Sequence, residues 1–192
     1  MVTYNRELGR HLAEKYLKGL EIKLFASPYP ILEHAQKVGE LCYDYAKKII
    51  AKNPEFGVIM DPELVGFLGY VANIGYRIRK EAHELHTIYL LENKEKIPHD
   101  VAIKASHGQL VETLGNNEEY YPVGIEGILL TYIDISVRTG PIVGIDQRAK
   151  EIETQIKSQT ISEEAKKEAL LNFAKALIRY KRYEKIIKAL ME

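Results

Sequence analysis

One cysteine, Cys42, is all that this chain contains, which excludes an internal disulfide framework and a cysteine-rich zinc site. A surplus of either charge is also missing: 27 basic residues face 27 acidic ones, for a formal net charge of zero. A dedicated nucleic-acid binder normally carries a basic excess that displaces counterions, so the balance argues against that class. It argues equally against electrostatic attachment to anionic lipid. No window is long and apolar enough for a membrane span. The opening stretch MVTYNRELGRHLAEKYLKGL is charged throughout and has no apolar core of signal-peptide type. The expectation is a soluble, cytoplasmic protein with no membrane partner and no dedicated nucleic-acid partner. A Gly-rich phosphate loop, a Walker motif, a GxSxG elbow and a dinucleotide fingerprint are likewise absent.

Sustained period-2 alternation, internal repeats and low-complexity tracts do not occur either, and what remains is helical periodicity. A first helix is predicted over about 4–19, ending at Gly19, and SPYP at 27–30 breaks the chain. Pro30 opens ILEHAQKVGELCYDYAKKII, where Ile31, Ala35, Val38, Cys42, Tyr45 and Ile49 share a stripe bordered by His34. Cys42, on that stripe, reads as a small core residue. Asp61-Pro62-Glu63 is a helix start with a cap, a pre-set proline and an acidic first turn. A helix over about 80–93 carries His83 and His86, and Pro98 begins another that carries His107 and stops near Gly115. GNNEEYYP is a loop, and Pro122 starts GIEGILLTYIDISV, apolar on nearly every side and hence central. RTGP at 138–141 is a break, QRAKEIETQI an amphipathic helix, and Ser162-Glu163-Glu164 the start of a long last helix. Its basic amphipathic stretch KALIRYKRYEKIIKAL reads as a solvated face, with RNA or a partner helix as the alternative. The expected fold is an all-α bundle of about eight helices, one domain over 1–192 in which 156–192 is a C-terminal helical extension.

Asp134 is the most informative single residue. An unpaired carboxylate inside an apolar helix costs several kcal/mol or takes up a proton, so Asp134 requires a donor or a cation. His34, His83 and His107 fall on three other segments with apolar faces. Three imidazoles and a carboxylate are the materials of a metal site in a bundle, and equally of a hydrogen-bonded polar cluster.

The order of these segments resembles the HD superfamily of metal-dependent phosphohydrolases, especially its small archaeal members. PILEHAQKVGELCYDYAKKI places His34 on the family's first histidine, and MDPELVGFLGYVANIGYR resembles the helix ending in LLHDIG. KEAHELHTIYLL, AIKASHG and EGILLTYIDISV then place His83, His107 and Asp134 on further family positions, so the similarity covers about 25–155. The resemblance implies an HD-domain bundle with a pocket between the helices of His34, Ala72, Asn73, His83, His107 and Asp134. It implies a divalent cofactor (Mn, Mg, Zn, Fe or Ni) and a nucleotide or other small phosphorylated ligand. Arg77, Arg79 and Lys80 fall where basic residues meet phosphate in relatives, and the alternative for them is a solvated turn.

The departure lies in Ala72-Asn73-Ile74-Gly75, where the family has His-Asp before Ile-Gly. Alanine has no donor atom, and an amide oxygen lacks the charge that holds a hard cation. Tight metal binding and ordinary phosphohydrolase activity are therefore not expected. If a metal is held, its ligands are His34, His83, His107 and Asp134; otherwise Asn73 donates its amide hydrogens to Asp134 within a metal-free cluster. Two functions stay open: a relative with impaired or lost activity that keeps its ligand pocket, and a divergent active phosphohydrolase. A homo-oligomer is compatible with both.

Overall fold

The computed structural model of the chain describes residues 3–24, 27–108, 111–112, 120–137 and 142–192. Its architecture is all-α, with eight α-helices among the described residues. Helix α1 (Arg6–Leu17) starts at Asn5, whose Oδ1 accepts from the Leu8 amide at 3.0 Å. It gives way at Gly19, where φ of +71° suits a residue without Cβ. A small antiparallel ribbon, β1 (Ile22–Leu24) and β2 (Ser27–Tyr29), leads into α2 (Ile31–Lys52). The ribbon was not expected: strands of three residues are too short to show alternation.

Helix α2 buries Ile31, His34, Ala35, Val38, Cys42, Ala46 and Ile49 at 3- and 4-residue spacing. Asp61 caps α3 (Pro62–Val71) by accepting from the Glu63 amide at 2.9 Å. Two glycines set the contact between α2 and α3. A Cβ on Gly69 would lie 2.8 Å from the Gly39 Cα, and one on Gly39 would enter the Tyr70 ring. Close approach lets Phe67, Leu68 and Tyr70 disappear from solvent, each stabilising by about 1.5–3 kcal/mol.

After α3 the chain tightens into a 3₁₀ turn, Ile74–Arg77, and Asn73 is the residue at the joint. Thr87 on α4 (His83–Tyr89) holds the joint together. Its hydroxyl donates to the Ala72 carbonyl at 3.0 Å and accepts from the Gly75 amide at 2.9 Å. Helix α4 runs on as a π turn, Leu90–Lys94, and α5 (His99–Ala102) ends in a 3₁₀ turn, Ile103–Ala105. The helix expected from Pro98 to Gly115 is thus only one turn long, and His107 follows it in irregular chain; positions 113–119 lie outside the described residues.

Helix α6 (Gly124–Ser136) is the central element, with Leu129, Leu130 and Ile133 fully buried. The expected break at 138–141 lies outside the described residues. Helix α7 (Ile145–Ser158) follows Gly144, and α8 (Glu163–Met191) starts at Ser162, whose Oγ accepts from the Ala165 amide at 3.2 Å. In α8 the buried residues Ala176, Tyr180, Tyr183 and Ile187 all lie from the middle of the helix onward. Ala176, Tyr180 and Ile187 seat the helix on the core. No described helix is long and apolar enough to cross a membrane.

Candidate functional site

Asp134 points from the last turns of α6 and is 5 % exposed. Its partners come from three separate segments. The first turn of α2 brings His34, with Nε2 3.1 Å from Asp134 Oδ1. The joint after α3 brings Asn73, whose Nδ2 donates to the same oxygen at 3.0 Å. His107 brings Nε2 to 3.6 Å from Oδ2. Burial would raise the Asp134 carboxyl, but the charge of His107, the hydrogen bond and charge of His34 and the Asn73 amide outweigh it. The carboxyl is held well below its usual range and stays ionised. A carboxylate accepts only, so Asn73 must present its amide nitrogen and His34 its Nε2–H. His34 Nδ1 lies 3.0 Å from the Tyr29 hydroxyl.

His107 lacks a helix to orient it, and side chains from two helices do so instead. Its amide donates to Glu84 Oε1 at 3.1 Å, and its carbonyl accepts from Thr131 Oγ1 at 2.9 Å. Its Nδ1 also lies 3.2 Å from Glu84 Oε1, without meeting hydrogen-bond geometry. His83 sits behind, stacked on Tyr76 with ring centres 4.2 Å apart and Nε2 3.4 Å from His107 Nε2. Burial first, then the neighbouring His107, push the His83 imidazole down to about 3, so it is neutral at pH 7.

These donors are turned upon one another. Among the described residues no group of three or more His, Cys, Asp or Glu side chains is placed to hold a metal ion. Ala72, fully buried, contributes only a methyl group. Asp134 Oδ1 is bonded to an amide and an imidazole.

Above the cluster lies a cavity of about 510 Å³. His34, Asn73 and Asp134 line its floor, whereas Ala72, His83 and His107 stand behind that floor. Tyr29 and Tyr76 rise at the side, and α7 and α8 close the top with Arg148, Ile152, Asn172 and Phe173. The segment read as a C-terminal extension is therefore a wall of the cavity. Arg77, Arg79 and Lys80 are exposed and absent from the lining, and Arg79 pairs with Glu81 at 3.0 Å. The basic residue on the wall is Arg148, with Nη1 2.5 Å from Glu151.

Sequence reading passed over Tyr29, Glu84, Arg148 and the α8 face. Arg148 had a signal: it falls three residues after Ile145 and four before Ile152, on the buried stripe of α7. Glu84 had none, because its burial depends on a loop 23 residues further on.

No family model, curated protein or solved structure matches this chain.

Proposed function

We propose that this is a cytoplasmic, metal-free relative of the HD phosphohydrolases that has lost hydrolysis and kept its cavity for binding a small molecule. One observation carries the reading: the Asn73 amide is hydrogen-bonded to Asp134 Oδ1 at 3.0 Å. A neutral donor thereby satisfies the carboxylate that, by the resemblance, would grip a cation. Metal-assisted hydrolysis lowers the pKa of water from 15.7 to about 7, and without an ion that gain, roughly eight powers of ten in hydroxide, is gone. Asn73, His34 and Tyr29 instead form a fixed polar floor that orients a ligand without activating water.

A second reading, a divergent metal-dependent hydrolase of nucleotides or other phosphate esters, has one observation in its favour. The 3.4 Å between His83 Nε2 and His107 Nε2 is close to the ligand–ligand edge of a tetrahedral zinc site, roughly 3.3 Å from ordinary Zn–N bonds. Two nitrogens are too few for tight binding, and among the described residues no group of three His, Cys, Asp or Glu side chains is placed to hold an ion. Metal content by mass spectrometry after chelator-free purification separates the readings, followed by hydrolysis of generic phosphate esters with added Mn²⁺. The expected result is substoichiometric metal and no turnover; one tightly held ion per chain, or Mn²⁺-dependent hydrolysis, overturns the first reading.

A further inference from the structure

The charges that line the cavity are matched before any ligand arrives. Asp134 is bonded through Oδ1 to His34 and Asn73, and its Oδ2 lies 3.6 Å from His107 Nε2. Glu112 accepts from Arg179 at 2.8 and 2.9 Å, and Arg148 is paired with Glu151. Glu168 is exposed at the rim, where water and salt screen it. A cation or an anion that enters gives up its hydration and meets charges that already have partners. Desolvating an ion without a new partner costs far more than desolvating a neutral polar group.

What the wall has left to offer is neutral. Asn73 is 3 % exposed, and its Nδ2 is engaged by Asp134. Its Oδ1 makes no hydrogen bond among the described residues, and a buried amide oxygen without a partner rewards a ligand that donates to it. The hydroxyls of Tyr76 and Tyr180 and the side-chain amides of Gln155 and Asn172 also line the cavity, and they too make no hydrogen bond among the described residues. Burial pushes both tyrosine hydroxyls up, further from neutral pH, so they stay protonated and uncharged. Four aromatic rings border the space, Tyr29, Tyr76, Phe173 and Tyr180, and Ile152 adds aliphatic surface. Apolar surface with a few unengaged neutral donors and acceptors, around about 510 Å³, is the ordinary make-up of a small-molecule site.

We infer that the cavity takes an uncharged, ring-bearing molecule that donates an N–H or O–H to Asn73 Oδ1 and lays its apolar body along Phe173 and Ile152. Tyr76, Tyr180, Gln155 and Asn172 meet the polar groups elsewhere on that body. Asn73 thus has two duties: its nitrogen holds Asp134, and its oxygen selects the ligand. The inference rests on the metal-free floor proposed above and adds the ligand's charge, which is zero, and the donor it must carry.

The test uses probes that share a naphthalene ring and differ in one group. 2-Naphthamide is neutral with a donor, and 2-acetonaphthone has the same shape without one. 2-Naphthoate and 2-naphthylmethylammonium carry the two charges, and adenosine monophosphate is measured beside them. Binding to the full chain is followed by calorimetry and by thermal shift, on a preparation whose metal content has been determined. The amide is expected to bind roughly tenfold or more tighter than either ion. The ketone should be weaker than the amide by roughly three- to tenfold, the usual worth of one neutral hydrogen bond. Ala169→Trp, a change on the partly exposed α8 wall away from the floor, should fill the space and weaken the amide by roughly tenfold or more. No binding of the amide, equal or tighter binding of either ion or of the nucleotide, a ketone that binds as well as the amide, or an amide indifferent to Ala169→Trp each overturns the inference. Stoichiometric metal in the same preparation would instead remove the metal-free reading beneath it, so the two failures are separable.

Discussion

Replacing Asn73 with aspartate puts a second carboxylate within about 3.0 Å of Asp134 Oδ1, in a site where Asn73 itself is 3 % exposed. Two like charges about 4 Å apart repel by roughly 4 kcal/mol at an effective dielectric constant near 20. The lost amide donor removes about 1.5–3 kcal/mol more. The variant has one escape, which is to protonate the new carboxyl so that it donates to Asp134 as the amide does. That escape costs about 1.4 kcal/mol for each pH unit above the unfolded carboxyl pKa of about 3.9. The penalty relative to the parent chain is therefore about 1.5 kcal/mol at pH 5, rising to about 4 kcal/mol at pH 7. The sign follows from a folded pKa raised above its unfolded value: stability is retained at low pH and lost as pH rises. For a chain of this length the loss corresponds to a melting temperature lower by roughly 8–16 °C at pH 7 and 3–6 °C at pH 5. Thermal unfolding of both proteins across that range gives the comparison, and Mn²⁺ should restore part of the loss only in the variant. Pairing the change with Ala72→His should raise metal affinity by orders of magnitude over the parent. A loss that ignores pH, or none, would mean that Asn73 does not face a charged Asp134.

Three further outcomes follow from the same contacts. A Cβ added by Gly75→Ala would fall 1.8 Å from the His83 carbonyl oxygen, so the joint must part from α4; a loss of about 3 kcal/mol or more is expected in urea unfolding. The His83 imidazole is pushed down to about 3, first by burial and then by His107. Its unfolded form takes up a proton that the folded form refuses, so stability present above pH 6.5 is lost as pH falls towards 3. Each pH unit in that window removes up to about 1.4 kcal/mol, and His83→Phe should flatten this acid limb; an unchanged limb would refute the assignment. Arg179→Met strands the buried Glu112 and should cost about 3–5 kcal/mol, most of it recovered by adding Glu112→Gln.

What could be read from the residues alone was whatever depended on near neighbours. The Asp61-Pro62 start of α3, the apolar girth of α6 and the cap at Ser162 each follow from a few adjacent side chains. The demand that Asp134 find a donor, and the suitability of Asn73 for it, also followed, because both rest on the chemistry of one group. His107 was misplaced onto a helix because Pro98 gives a strong start signal while nothing nearby marks so early a stop. The glycine that follows it, Gly108, takes a φ of +69° only in the folded loop. Of the two readings of Arg77, Arg79 and Lys80, phosphate contact and a solvated turn, the first took basic residues near a pocket to face it. The 3₁₀ turn that carries Arg77 and the exposure of all three aim them at solvent. Arg148 and the cavity face of α8 depend on how the later helices fold back over α6, which no local pattern encodes.

The seat of α8 on the core through Ala176, Tyr180 and Ile187 has a consequence during synthesis. The residues that roof the cavity, among them Asn172 and Phe173, leave the ribosome long after α2, α3 and α6. Until they arrive, the Asp134 floor stands open to water where the finished chain has a chamber. The chamber therefore closes only after the last helix has left the ribosome, and a chain cut short before it would keep most of the hydrophobic interior with no roof over Asp134.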